Sequence, residues 1–203
     1  MTSVSSTDSL QSSLGYRFKA LALLDEALTH SSLVNEQKTA LPQHNERLEF
    51  LGDAVLSLVM SEYLASALPQ SSEGTLSKLK AQVVSEASLA QVARRLGLGE
   101  HLKLGRGEDR SKGREKDSLL ADALEAVLAA VHLDGGFEAS RMVTRHIFSE
   151  ELTHIAAQQD QPGAGDYKTQ LQEWCQKRHD TLPRYATVRE TGPDHQKLFE
   201  VEL

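Results

Sequence analysis

From Leu14 to Ile155, apolar residues return every three or four positions, the spacing that lays a hydrophobic stripe along one side of an α-helix. The stripe is interrupted at Ser31, Leu68 to Glu73, Gly97 to Gly99, Gly105 to Gly113 and Asp134 to Phe137. Amphipathic helices joined by short turns predict an all-α domain. Ser72 or Thr75 is suited to cap a helix entering at Leu76, and Gly97 or Gly135 to end one. Polar stretches without periodicity flank this region. Residues 1–12, rich in Ser and Thr, predict a disordered tail, and residues 154–165, with the run Ala-Ala-Gln-Gln-Asp-Gln-Pro-Gly-Ala-Gly, predict a flexible linker.

Beyond the linker the period changes. Tyr167 to Arg178 predicts a helix, while Tyr185, Thr187 and Val188, then Leu198, Phe199 and Val201, predict two strands around Thr191-Gly192-Pro193-Asp194. The expected division is a tail (1–12), a helical domain (13–153), a linker (154–165) and an α-β-β module (166–203). One helix and one hairpin bury little area, so this module reads as partial and incompletely folded.

Composition narrows the class. No apolar run approaches the roughly 18 residues that cross a bilayer, and the amino terminus lacks the basic start and apolar core of a secretory signal. The single cysteine, Cys175, cannot form an internal disulfide or a cysteine-based metal site, which suits a reducing cytoplasm. A formal charge of -7 argues against a nucleic-acid partner until its distribution is considered. Lys78 to Lys116 holds ten Lys and Arg against five acids. Such a run is commonly a solvated face, and alone it is weak evidence for RNA contact.

The informative segment is Glu46-Arg47-Leu48-Glu49-Phe50-Leu51-Gly52-Asp53-Ala54-Val55-Leu56. At about 100° per residue with Glu46 at zero, Glu49 falls near 300° and Asp53 near 340°, while Leu48, Leu51, Val55, Leu58 and Val59 fall between roughly 120° and 220°. Three acids are thus expected opposite the core stripe, where their repulsion calls for a cation. Asp122 and Glu125 form a second row, with Leu120, Leu124, Val127 and Leu128 opposite and the small Ala126 and Ala129 beside the acids. Small neighbours permit another helix to approach. If the two faces adjoin, oxygens of Glu49, Asp53, Asp122 and Glu125 could gather around a hard cation, and phosphoryl transfer becomes the natural chemistry. Two solvated acidic faces, or a glycosidase carboxylate pair, use the same residue types. Two matching rows weaken the first alternative without removing it, and the second explains neither the clustering nor the basic segment. Phe50 lies on the acidic side of its helix, which core packing does not explain.

The Glu46 to Leu56 string resembles the signature of the ribonuclease III family. Leu14-Gly15-Tyr16, Ala27-Leu28-Thr29-His30-Ser31-Ser32, Glu73-Gly74, Gly105-Arg106-Gly107-Glu108 and Leu120 to Ala126 resemble other family segments in order. Asp166 to Glu173 and His195 to Phe199 resemble parts of a double-stranded-RNA-binding domain. The resemblance implies a ribonuclease III fold, with Glu49, Asp122 and Glu125 binding metal, Asp53 and Glu125 catalytic, and Glu46 and Glu73 as supporting acids. It further implies Mg²⁺, with Mn²⁺ as an alternative, and a two-ion hydrolysis of double-stranded RNA leaving 5′-phosphate and 3′-hydroxyl ends. The implied partner is a second copy of the chain that receives Phe50. Neither a membrane nor a small-molecule substrate is expected. Thr169, Gln172, Glu173, Gln176 and His195 match family positions touching the RNA minor groove, which is read by shape. The third strand and second helix of that domain do not follow Leu203, so weak autonomous RNA binding is expected of residues 166–203. His30 and Ser31 receive no chemistry, and His44 and Asn45 read as helix-start residues. Rival classes are a non-catalytic double-stranded-RNA binder or ribosome-associated protein on this fold, and an all-α phosphohydrolase of small substrates.

Overall fold

A computed structural model describes residues 6–37, 43–159, 167–191 and 198–202. The chain divides into two compact units, Met1–Ala157 and Gln158–Leu203. Ten α-helices and a 3-10 turn are described in the first: α1 (Ser6–Leu14), α2 (Leu21–Ala27), α3 (Ser31–Gln37), α4 (Glu46–Ala67), α5 (Glu73–Val83), α6 (Glu86–Arg95), α7 (Leu98–His101), α8 (Arg106–Arg110), the 3-10 turn Gly113–Glu115, α9 (Asp117–Ile147) and α10 (Ser149–Gln159).

The core is built around α9. Its residues Ala126 to Val131 are all fully buried, and α2, α4 and α6 pack along it. Leu56, Met60 and Leu64 of α4 and Leu89, Val92 and Ala93 of α6 supply the facing side chains. Burial on this scale contributes roughly 1.5–3 kcal/mol per large apolar side chain before chain entropy is subtracted. By length and composition α4 could cross a membrane, against the reading of the apolar runs. Its apolar side is instead spent on this core.

Local chemistry sets the helix ends. Ser72 Oγ accepts from the Thr75 backbone N–H and Ser85 Oγ from that of Ser88, capping α5 and α6. Gly97 takes the left-handed conformation (φ 68°) between α6 and α7, as its position predicts. The turn expected at Asp134 to Phe137 is a break inside α9, made by Gly136 at φ 76° rather than by Gly135. Gly135 serves packing: a Cβ there would strike the Tyr16 hydroxyl. The Gly105 to Gly113 interruption is not a plain turn, since it holds α8 and leads into the 3-10 turn.

Two boundaries are corrected. Residues 6–12 belong to α1 rather than to a tail, because Leu10 and Leu14 form an (i, i+4) apolar pair that is wholly buried. Gln11, also buried, accepts the Phe18 N–H at 2.9 Å. Serines surrounding one leucine hid this short stripe. The expected linker begins too early, because α10 runs to Gln159 with Leu152 and Ile155 buried.

The second unit contains α11 (Tyr167–His179) and the antiparallel pair β1 (Ala186–Thr191) and β2 (Leu198–Glu202). Its register pairs Ala186 with Glu202, Thr187 with Val201 and Arg189 with Glu200, so Val188 is the extra residue of a bulge.

Candidate active site

The two acidic rows meet where α4 crosses α9. At that crossing stands Gly52: a Cβ on it would overlap the carbonyl of Glu125, so only glycine lets the helices approach this closely. Glu49 and Asp53 flank Gly52 on α4, and Asp122 lies one turn before Glu125 on α9. The buried side of α4, formed by Leu48, Gly52, Val55, Leu56, Val59, Met60 and Leu64, is rotated toward the acids. On the helical wheel it centres near 250°, about 50° from Glu49. The acids therefore flank the core stripe instead of opposing it. Leu58, assigned to that stripe, is 56% exposed. Glycine carries no hydropathic signal, so the pattern could not show that Gly52 is the centre of the contact.

Flanking the core changes the acids' electrostatics. Burial, followed by the charge of Asp122 and then Glu46, pushes the Glu49 carboxyl up. Burial, then the charge of Glu86, raises Asp122. Glu125 is pushed up to about 7 by burial, then by Asp53, Glu49 and Asp122. Crowded carboxylates resist ionisation together unless positive charge is supplied. An all-oxygen donor set suits a hard divalent cation. Among the described residues no three such side chains already stand at ligand spacing. The row is open, which fits an ion that keeps several of its waters and takes only one or two carboxylates directly.

The remaining candidates are distributed unevenly. Glu46 is largely exposed, 3.8 Å from His44 Nδ1, and its charge is felt by Glu49. Glu73 stands apart: it opens α5, accepts from Ser77 Oγ at 2.7 Å and lines a cavity with Ser61, Leu64 and Leu76. Its charge is absent from the fields acting on Glu49, Asp122 and Glu125. Asn45 precedes α4 without a side-chain cap bond; its backbone N–H donates to Thr29 O at 2.9 Å. Phe50 is 82% exposed. Two residues escaped the pattern reading. The charge of Glu86, at the start of α6, is felt by Asp122, and so is that of His30. Long-range effects of this kind leave no periodic trace.

The basic segment is thinner than its count suggests. Arg94 pairs with Asp117, Arg95 with Glu150 and Glu151, Lys103 with Asp25, Arg114 with Asp109, and Lys116 with Glu108. Arg114 also donates to the carbonyls of Gly99 and Leu102, so it braces the loop. Exposed Arg106, Arg110 and Lys112 make no ion pair among the described residues, although Glu36 feels Arg106 and Arg110. Lys112 is held at φ 60°, on the turn between α8 and the 3-10 turn.

In the second unit Gln172 is half-buried on α11, and Gln176 is exposed and donates to Asp180 at 2.9 Å. The side chains of Thr169 and Glu173, and His195 as a whole, lie outside the described residues. Arg178 stands 5.5 Å over the half-exposed Trp174 ring.

Comparison with known proteins decides among the chemistries this site allows. Residues 21–152 match the family described as Ribonuclease-III-like, and residues 167–203 match the double-stranded RNA binding motif. The chain belongs to the ribonuclease III family. It is 49% identical to ribonuclease 3 of Pseudothermotoga lettingae, covering 94% of this chain and 80% of that one. It is 51% identical to ribonuclease 3 of Heliobacterium modesticaldum, covering 92% and 77%. A solved nuclease domain of ribonuclease III from Campylobacter jejuni superposes with a TM-score of 0.66 at 42% identity, covering 73% of this chain and 98% of the other. This ribonuclease III is therefore a metal-dependent endoribonuclease of double-stranded RNA on an all-α nuclease fold. A purely RNA-binding role on the same fold is not favoured.

Proposed function

We propose that this ribonuclease III hydrolyses phosphodiester bonds of duplex RNA precursors, ribosomal and messenger, in the cytoplasm. Glu49, Asp122 and Glu125 would hold magnesium, with manganese able to substitute, and Asp53 and Glu125 would stand nearest the reacting phosphate. The observation that carries this reading is the Gly52–Glu125 contact, which sets two acidic rows side by side on the rigid centre of the domain. Magnesium, when bound, neutralises the developing charge on the phosphate and lowers the pKa of the attacking water. The chain supplies position: α4 and α9 fix the carboxylates. Cleavage leaves 5′-phosphate and 3′-hydroxyl ends.

The working unit proposed is a homodimer with one site per subunit. A phenylalanine 82% exposed beside the acids supports it, because an isolated aromatic on a charged face is stabilised when a second surface covers it. Glu46 would support the site through Glu49, whose carboxyl feels its charge, and Glu73, at the start of α5, would be the other supporting acid. Gln172 and Gln176, together with Thr169, Glu173 and His195, would touch the minor groove. The domain bounds that the family match supports are residues 21–152 for cleavage and 167–203 for duplex binding.

The test is Glu125→Gln. Cleavage of an RNA duplex in millimolar Mg²⁺ should fall by at least about 10²–10³-fold, with dimer mass unchanged. A DNA duplex and EDTA serve as negative controls. A glutamine variant that still cuts would remove Glu125 from the mechanism.

A further inference from the structure

The loop that carries Arg106, Arg110 and Lys112 is not held by packing, because no residue of α8 is buried. Nor does a helix of 5 residues hold itself, since isolated helices shorter than about 12–15 residues are marginal in water. Hydrogen bonds at its two ends must place it. At the exit, Lys116 engages Glu108 at 2.5 Å and Arg114 engages Asp109 at 2.7 Å. The entry is built differently. Its N-cap is Gly105, which has no side chain to offer the first backbone N–H groups. Helix α3 supplies the acceptors instead. Ser32 Oγ accepts from the Gly105 N–H at 2.9 Å, and Glu36 Oε1 accepts from the Gly107 N–H at 3.1 Å, the bond that an N-cap side chain would ordinarily make. A Cβ on Gly105 would come within 2.7 Å of both Glu36 Oε1 and the Ser32 carbonyl oxygen, so glycine makes room here for a cap brought from another helix. The Glu36 carboxyl is held below the usual glutamate range, first by the Gly107 N–H and next by that of Arg106. The start of α3 is tied down in turn: His30 N–H donates to Lys103 O at 3.0 Å, and Thr29 O accepts from Asn45 N–H, just before the acidic helix α4, at 2.9 Å.

We infer that Glu36 is a positioning residue for duplex RNA binding: as the imported N-terminal cap of α8, it fixes the loop so that Arg106, Arg110 and Lys112 meet the phosphate backbone already ordered. The inference rests on the duplex-RNA substrate of the proposed function and adds this loop to its contacts. A carboxylate that merely stood near the RNA would repel phosphate, and its removal would tighten binding. A cap acts with the opposite sign. Without it the loop leaves its ordered form, and apparent affinity falls with the ordered fraction. Glutamine separates the two cases, because its side-chain carbonyl still accepts from Gly107 while the charge is gone.

The test uses the full chain and its kinetics on an RNA duplex in Mg²⁺. Glu36→Ala should raise KM by about 3–30-fold with kcat little changed, and Glu36→Gln should keep a KM at or below that of the wild type. Placed on Arg106→Ala/Arg110→Ala/Lys112→Ala, Glu36→Ala should raise KM no further, because the cap then has no cation left to position. Amide exchange at Gly107, read without RNA, should be slow in the wild type and in Glu36→Gln and faster in Glu36→Ala. A KM for Glu36→Ala at or below the wild-type value, a glutamine variant as impaired as alanine, or an undiminished effect of Glu36→Ala in the triple variant would each overturn the inference. Failure of the wild type to cut the duplex would overturn the proposed function instead, and Gly107 exchange would still report whether Glu36 caps α8.

Discussion

At the scale of single residues, Glu125 shows how the site stores instability. An unfolded glutamate titrates near 4.5, whereas Glu125 in the fold is pushed up to about 7. Between those values the folded chain retains a proton that the unfolded chain has released, so stability falls as pH rises through this window. Above pH 7 the cost is fully present, at most about 3 kcal/mol and reduced by the solvent that reaches the open row. The prediction concerns a difference between variants. In EDTA, wild type should lose melting temperature from pH 5 to pH 8 relative to Glu125→Gln, whose side chain cannot titrate. Millimolar Mg²⁺ at pH 8 should restore the wild type, because a ligand that binds only the native state stabilises it. Calorimetry of both proteins with parallel pH dependence would show that Glu125 is not perturbed.

At the scale of elements, the crossing of α4 on α9 is the arrangement on which the site depends. Gly52→Ala forces a methyl against the Glu125 backbone, and neither helix can yield without moving the buried leucines behind it. Overpacking of this kind costs about 1–3 kcal/mol. Its effect on cleavage should be larger, since displacing reacting groups by about 1 Å can cost 10²-fold. Urea midpoints and initial rates measured together check both halves, and an unchanged rate would show that the two rows act independently. The sequence made the elements legible wherever chemistry is local: Ser72 caps α5, Gly97 turns the chain, and the acidic spacing places Glu49 and Asp53 on one flank. What it misplaced depended on distant partners. The stripe of α4 is rotated from its expected direction because Gly52, silent in any hydropathy pattern, is what α9 touches. Leu10 buried α1 against expectation, and the charges of Glu86 and His30 act on Asp122 from other parts of the chain. The Asp122 and Glu125 row was readable because Ala126 and Ala129 announce a close neighbour, and both are fully buried.

At the scale of the whole molecule, two surfaces remain to be used. Phe50 is the first: Phe50→Asp should convert a dimer into monomers by light scattering and lower duplex cleavage, and a dimer that survives would assign the aromatic another role. The second is the basic loop. Of the ten Lys and Arg from Lys78 to Lys116, Arg94, Arg95, Lys103, Arg114 and Lys116 are paired with Asp or Glu, so the net charge of that segment overstates what a phosphate backbone meets. The residues available on the loop are Arg106, Arg110 and Lys112, exposed on α8 and the turn after it. Each lost phosphate contact lowers the slope of log binding constant against log salt by about 1. Arg110→Ala with Lys112→Ala should therefore weaken duplex binding, flatten that slope by about 2 and leave the melting temperature within a degree or so. Arg114→Ala should do the reverse. It strips the Gly99 and Leu102 carbonyls of a charged donor and frees Asp109, lowering stability by about 1–3 kcal/mol while leaving the slope nearly intact. Binding isotherms at several salt concentrations separate the two classes, and equal slopes for all the variants would place the RNA on another face.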